Sequence, residues 1–210
     1  MAVEDFNGNT FVAFTDISGF KEMMKGDGMR AIRALDRLNT AGFNALRNNE
    51  DVNGFFVSDC GILFVRNQQQ SQPEMLISLL RVTEQINRGL INEDIMLTTS
   101  IAYGPFSYHQ RIEFNGIEKN PIFGNAYVSA FLDNETGSPR IQPGQCRIVS
   151  QNLDDDLFTN IPRLKKQKEH YYHYWMVNSP NEIEDFERKY HDSYQLKYRG
   201  MLMALKRNDG

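Results

Sequence analysis

Blocks of hydrophobic and polar positions along the chain predict a series of strands and helices. Residues 10–16, 53–58 and 61–65 are short apolar runs bounded by polar residues, a pattern typical of buried strands. Apolar side chains recur at helical spacing over residues 29–48, and again over 74–91 after Pro73. Further strands are predicted over 95–104, 109–114, 145–150 and 170–177, and further helices over 18–26, 125–134 and 181–207.

The order of these elements predicts an α+β fold. Strand, helix, strand, strand, helix and strand follow one another, which is the ferredoxin-like arrangement of an antiparallel-rich sheet with helices packed on one face. We expect residues 1–178 to form one domain and residues 179–210 to be its C-terminal helical extension. In this arrangement the first and third strands are central neighbours in the sheet.

Two of the predicted strands end at an aspartate. Asp16 follows the apolar run of residues 11–14, and Asp59 joins the two hairpin strands. Taken singly, Asp16 fits a helix N-cap and Asp59 fits a turn residue. Since the topology brings the two ends together, the pair predicts a site for a hard divalent cation, which takes protein carboxylates plus substrate phosphates.

The backbone N–H groups that follow Asp16 are predicted to be free to bind a polyphosphate; they belong to Ile17, Ser18, Gly19 and Phe20.

Composition narrows the classes of function. The chain has 210 residues, of which 40% are hydrophobic and 24% charged, as in an ordinary globular protein. A net charge of −4 does not favour broad binding to nucleic acid or to an anionic membrane. The two cysteines, Cys60 and Cys146, lie far apart in sequence, which fits a reducing cytoplasm. The acidic, polar start of the chain does not resemble a signal peptide, so we expect a cytoplasmic protein.

Four segments together resemble the class III nucleotidyl cyclases. "FTDISGF" (14–20) resembles the signature around that family's first metal aspartate, and "VSDCGILFV" (57–65) stands where the second is found. "SIAYGPF" (100–106) and "IFGNAYVSA" (122–130) are similar to two later motifs. The resemblance covers roughly residues 8–150. It implies a homodimer that converts a nucleoside triphosphate to a 3′,5′-cyclic nucleotide and pyrophosphate with two Mg²⁺ or Mn²⁺ ions in each active site.

The departures from the family pattern indicate an unusual substrate. The family's transition-state asparagine and arginine fall on Val128 and Leu132, and its two purine-reading positions fall on Asn53 and Pro121. With "SPRIQP" (138–143), these gaps resemble the pyrimidine cyclases of bacterial Pycsar anti-phage systems. That resemblance implies a uridylate cyclase that makes cUMP from UTP to signal to a separate cyclic-nucleotide-gated effector. The alternatives are a cytidylate cyclase acting on CTP, a purine cyclase, or an inactive nucleotide-binding module of the same fold.

The resemblance also implies roles for individual residues. Asp16, Asp59 and the Ile17 carbonyl would hold the metal ions, and the amides of residues 18–20 would hold phosphates. Phe55 or Tyr127 would stack on the base, and the Asn53 amide would read it. Two interpretations stay open: Arg140 either binds phosphate or caps its helix, and the lysines at 165, 166 and 168 either reach a triphosphate or lie in a solvated loop, which is the favoured interpretation.

Overall fold

The computed structural model describes residues 4–109, 111–113, 117–119, 121–189 and 201. Five α-helices are described: α1 (Phe20–Gly26), α2 (Gly28–Arg47), α3 (Gln72–Ile91), α4 (Asn125–Thr136) and α5 (Ile183–Lys189). The strands are β1 (Phe6–Ile17), β2 (Val52–Val57), β3 (Cys60–Val65), β4 (Leu97–Tyr108), β5 (Arg111–Glu113), β6 (Ile117–Lys119), β7 (Ile122–Phe123), β8 (Cys146–Val149), β9 (Leu164–Gln167) and β10 (His170–His173).

One mixed sheet organises the chain. Its strand order is β2-β3-β1-β4-β8-β10-β9, with β7 paired to β4, and β5 and β6 form a separate two-stranded ribbon. All the pairs in the large sheet are antiparallel except β4 with β8. The predicted α+β fold with an antiparallel-rich sheet is confirmed. The first and third strands are neighbours, as the topology required.

Helices cover both faces of this sheet, so the expectation of helices on one face is wrong. Phe11, Ala13 and Ile17 of β1 pack in one core with α2 and α3. Val12 and Phe14 pack in a second core with α4. The physical reason lies in β1 itself, because four consecutive apolar residues put hydrophobic side chains on both faces of a strand and each face must be buried.

Helix α4 lies over the centre of the sheet because its first turn approaches β4 closely. Gly124 precedes the helix with φ of 126°, a conformation that favours glycine. A Cβ atom at this position would stand 2.3 Å from the carbonyl oxygen of Pro105. Gly124 therefore allows α4 to pack against β1 and β4, where its last turn reaches the end of β1.

The C-terminal part of the domain differs from the predictions in two places. Lys165 and Lys166 lie in β9 and not in a solvated loop, since Lys165 pairs with Glu187 at 2.6 Å and Lys166 with Asp155 at 2.5 Å. Of the helix predicted over 181–207, the structure describes α5 and Met201, while residues 190–200 and 202–207 lie outside the described residues. None of the described helices has the length and apolarity needed to cross a membrane.

Candidate functional site

The site is built where β1 ends beside the hairpin of β2 and β3. Asp16 is the register partner of Cys60, and Asp59 is the residue just before Cys60 in a two-residue turn. The amide of Ile17 donates a 3.0 Å hydrogen bond to the Asp59 carbonyl, which ties the turn to β1. The predicted meeting of Asp16 and Asp59 is therefore observed.

The carboxyl group of Asp59 lies close enough to that of Asp16 to affect the pKa of Asp16. The pKa of Asp16 is raised from 3.8 to about 7, first by burial, then by the charges of Asp59 and Glu135 and by a hydrogen bond with the Asp59 side chain. Two carboxylates in contact need either a shared proton or a cation between them. Such a pair fits a divalent cation that also takes oxygen ligands from a substrate.

Protein side chains alone do not complete a metal site in the described part of the chain. No cluster of three or more histidine, cysteine, aspartate or glutamate side chains is arranged there to hold an ion. The carbonyl of Ile17, at the end of β1, accepts no hydrogen bond from the described residues and is available as a further oxygen ligand. A metal ion at Asp16 and Asp59 would hence depend on substrate oxygens to complete its coordination.

A pocket of about 380 Å³ opens beside Asp16. Its lining joins the turn after β1, the last turn of α4 and the segment that follows α4. The residues that line it are Asp16, Ser18, Gly19, Thr98, Asn134, Glu135, Arg140, Ile141, Gln142 and Pro143. The structure thus brings four of the residues predicted for the site, Asp16, Ser18, Gly19 and Arg140, to one cavity.

The end of α4 is held by Arg147, which bears on the two interpretations of Arg140. The buried guanidinium of Arg147 donates to the main-chain carbonyl of Asp133 at 2.9 Å and to that of Pro139 at 2.6 Å. Arg140 itself is exposed and forms no ion pair with a described residue. Arg147 thus occupies a carbonyl of the last turn of α4, and the guanidinium of Arg140 lines the pocket.

The prediction that four consecutive amides are free is wrong for two of them. The Ile17 amide donates to Asp59, and the Ser18 amide donates to the Met96 carbonyl at 2.9 Å. The reason is that the sheet ladder of β1 continues to Ser18, so these N–H groups serve strand pairing. The amides of Gly19 and Phe20 donate to no backbone carbonyl in the described residues.

The three residues predicted to contact the base do not line the pocket. Asn53 and Phe55 lie on the edge strand β2, on the sheet face that carries Asp16, and the Phe55 ring packs 5.4 Å from that of Tyr108. Asn53 is four residues before Val57, about 13 Å along the strand. Asp59 stands in the turn, beyond the end of β2 at Val57, so strand alternation does not place it on the same face as Asn53. Tyr127 of α4 is near Cys60, and its pKa is raised by burial and by the Cys60 charge.

Sequence reasoning missed Thr98 and Asn134, which share the pocket with Asp16. Thr98 is the register partner of Asp16 on β4, and its hydroxyl donates to the Asn134 side chain at 3.0 Å. The sequence "LDNET" at the end of α4 is a polar run that carries no motif. Only the packing of α4 across β1 and β4 gives these polar residues a place in the site.

Comparison with known proteins places this geometry in a known fold. No family model matches the sequence, and no curated protein matches it. Solved structures do match. The adenylyl cyclase CyaB from P. aeruginosa has a TM-score of 0.62 and 12% identity, over 81% of this chain and 94% of that chain. The guanylate cyclase domain of RhGC from Catenaria anguillulae, solved with GTP, has a TM-score of 0.57 and 12% identity, over 81% and 96% of the two chains.

A third match is the catalytic core of a rhodopsin-guanylyl cyclase with converted specificity, in complex with ATPαS. It has a TM-score of 0.59 and 13% identity, over 81% of this chain and 97% of that chain. This chain has the class III cyclase fold. The motif resemblance is therefore confirmed at the level of the cyclase fold, while the pyrimidine subtype stays a prediction.

Proposed function

We propose that this protein is a nucleotidyl cyclase that forms a 3′,5′-cyclic nucleotide and pyrophosphate from a nucleoside triphosphate. The observation that carries the proposal is the contact between the carboxyl groups of Asp16 and Asp59 at the end of β1, within a class III cyclase fold. Two carboxylates in contact repel each other and destabilise the fold unless a cation or a proton lies between them. A catalytically inactive protein of the same fold would gain nothing from keeping both acids.

The reaction requires attack of the ribose 3′-hydroxyl on the α-phosphorus and departure of pyrophosphate. Mg²⁺ or Mn²⁺ would lower the hydroxyl pKa and neutralise phosphate charge when bound. Asp16 and Asp59 would hold the metal ions, together with the Ile17 carbonyl. Arg140 faces the same pocket and would place positive charge near the phosphates, where charge develops as the bond to the leaving group breaks.

The resemblance to class III cyclases implies a site that is completed by a second copy of the chain, and we propose a homodimer here. Large apolar side chains remain exposed around α4, with Val128 at 46%, Leu132 at 49% and Phe123 at 53% exposure. Exposed apolar groups of this size, close together, favour a protein interface. Val128 and Leu132, which stand where class III cyclases carry the transition-state asparagine and arginine, would then contribute to association and not to catalysis.

For the substrate we propose a pyrimidine triphosphate, UTP before CTP. The support is the absence of the purine-reading pair at Asn53 and Pro121 and the resemblance to Pycsar cyclases. A site that hydrogen-bonds a base rejects the wrong base because buried polar groups would lose their partners. On the same resemblance, the cyclic nucleotide would be an anti-phage signal to a separate effector protein.

The test is a competition between equimolar ATP, GTP, CTP and UTP with Mn²⁺, with the cyclic products identified by mass. Dominant cUMP is the expected result. Dominant cCMP would overturn the preference for uridine alone. Dominant cAMP or cGMP would overturn the pyrimidine assignment and leave the cyclase assignment intact. An Asn53→Ala variant is expected to change the ratio of UTP to CTP turnover. Its unfolding temperature should change little, since Asn53 lies half-buried on an edge strand.

A further inference from the structure

Two buried polar groups in the pocket beside Asp16 have no partner among the described residues. The side-chain nitrogen of Asn134, Nδ2, and the hydroxyl of Ser18 form no hydrogen bond there. Asn134 is 6% exposed and Ser18 is 8% exposed. Buried polar groups in folded proteins are nearly always hydrogen-bonded, so two exceptions in one cavity indicate a ligand that supplies the missing partners.

The orientation of the Asn134 amide is fixed. Its Oδ1 atom accepts the 3.0 Å hydrogen bond from Thr98, so Nδ2 is the end of the amide left for a ligand. The preceding residue, Asp133, is held by Arg147, and by Ser100 and His170 at 2.7 Å each. The last turn of α4 is thus fixed to three strands, and the Asn134 amide is preorganised before any ligand binds.

Asn134 does not stand at the position where the cyclase motif carries its transition-state asparagine. That position is Val128, which is 46% exposed on the outer surface of α4. Asn134 follows six residues later, which is about 240° further around a helix. Asn134 therefore faces the chain's own sheet and the chain's own Asp16, whereas Val128 faces outward.

We propose that the Asn134 side-chain amide and the Ser18 hydroxyl bind the phosphate chain of the nucleoside triphosphate in the pocket beside Asp16. This inference rests on the proposed cyclase function and adds to it Asn134 as a substrate-binding residue and a role for the Ser18 hydroxyl in place of the Ser18 amide. An amide NH₂ group is a donor of two hydrogen bonds and needs an acceptor, and phosphate oxygens accept without donating. Phosphate is favoured over the ribose or base because Ser18 lies two residues after Asp16, the proposed metal ligand, and Arg140 lines the same pocket.

The test measures binding of inorganic tripolyphosphate with Mn²⁺, a probe that carries the phosphate chain and no base. Calorimetric titration compares the wild type with Asn134→Ala and Ser18→Ala, and thermal unfolding is followed on the same samples. The matched control is Asn87→Ala. Asn87 is also a buried helical asparagine, at 4% exposure, but its amide is already satisfied by the Thr83 carbonyl at 2.8 Å.

We expect Asn134→Ala to weaken tripolyphosphate binding about tenfold or more, the effect of losing a hydrogen bond to a charged group. Ser18→Ala is expected to weaken binding severalfold. Asn87→Ala should lower the unfolding temperature and leave the affinity unchanged. Loss of affinity in Asn134→Ala, with loss of stability alone in Asn87→Ala, distinguishes an amide that binds the ligand from an amide that only supports the fold.

Unchanged affinity in both Asn134→Ala and Ser18→Ala would overturn this inference and leave the cyclase proposal standing. If Asn134→Ala fails to fold, Ser18→Ala decides alone, because its hydroxyl forms no hydrogen bond with a described residue. A wild-type protein that binds no tripolyphosphate in the presence of Mn²⁺ would also overturn the inference, whereas the cyclase proposal is decided separately by the formation of cyclic nucleotide.

Discussion

Arg147 and Asp133 form a two-pronged ion pair inside the domain. The guanidinium of Arg147 donates to the two carboxylate oxygens of Asp133 at 2.8 and 3.0 Å, and its side chain is fully buried. His170, Ser100 and Arg147 all donate to this carboxylate, and they hold its pKa below the usual range although burial acts in the opposite direction. The network connects the end of α4 to the strands β4, β8 and β10, next to the pocket.

Removing one partner of this pair should be strongly destabilising. Arg147→Met leaves the buried Asp133 charge without its main partner, and the expected loss is about 3–5 kcal/mol in the free energy of unfolding. The double variant Arg147→Met with Asp133→Leu removes both charges and should recover part of that loss. Urea unfolding measures both variants. A single variant as stable as the wild type would contradict the role assigned to the pair.

Asp16 should make the stability of the metal-free protein depend on pH. Burial and the neighbouring acids raise its pKa in the fold from the ordinary value of 3.8 to about 7. Between these values the folded state binds more protons than the unfolded state, so stability falls as pH rises through this window and levels off above it. Asp16→Asn carries no such charge. Its stability relative to the wild type should hence increase from about pH 4 to about pH 7.

Thermal unfolding in the presence of a chelator measures this difference. Addition of Mn²⁺ above neutral pH should then stabilise the wild type and not Asp16→Asn, since the ion replaces the shared proton of the carboxyl pair. A difference between the two proteins that is the same at every pH would show that burial and the neighbouring acids do not raise the pKa of Asp16.

The exposed face of α4 should control self-association. Leu132→Glu introduces charge at the proposed interface without supplying the arginine that class III cyclases carry at this position. It should give a monomer with little activity, because the site would lack its partner. Ile32→Glu is the matched control. Ile32 is 52% exposed, similar to Leu132, but it lies on α2, which packs against the opposite face of the sheet. Light scattering and activity are measured on the same samples. Dimers in Leu132→Glu, or monomers in Ile32→Glu, would contradict this assignment.

Local patterns in the sequence predicted most of the secondary structure and the contact between the two acids. The reason is that the order of elements determines which strands are neighbours, and Asp16 and Asp59 both stand at strand ends. The free amides of Ile17 and Ser18 were predicted wrongly, because the sequence does not mark where the ladder of β1 stops.

The remaining parts of the pocket could not be predicted from the sequence. Asn134 and Thr98 become neighbours only through the packing of α4 on β4. No local sequence pattern indicates that these two residues are close in space. Arg147 is a cation in an otherwise apolar strand, "CRIV", and its partner Asp133 is 14 residues away on another element. Tertiary packing, and not local propensity, assembles this half of the site.

The central claim is that Asp16 and Asp59 support metal-dependent cyclisation of a nucleoside triphosphate. The most direct measurement is cyclic nucleotide and pyrophosphate release from all four triphosphates by the wild type, Asp16→Asn and Asp59→Asn over a range of Mn²⁺ concentrations. The wild type should release both products in equal amounts only when Mn²⁺ is present, and each variant should be slower by about a hundredfold or more while remaining folded. A folded Asp16→Asn or Asp59→Asn variant with a near-normal rate, or a wild type that forms no cyclic nucleotide from any triphosphate, would contradict the claim.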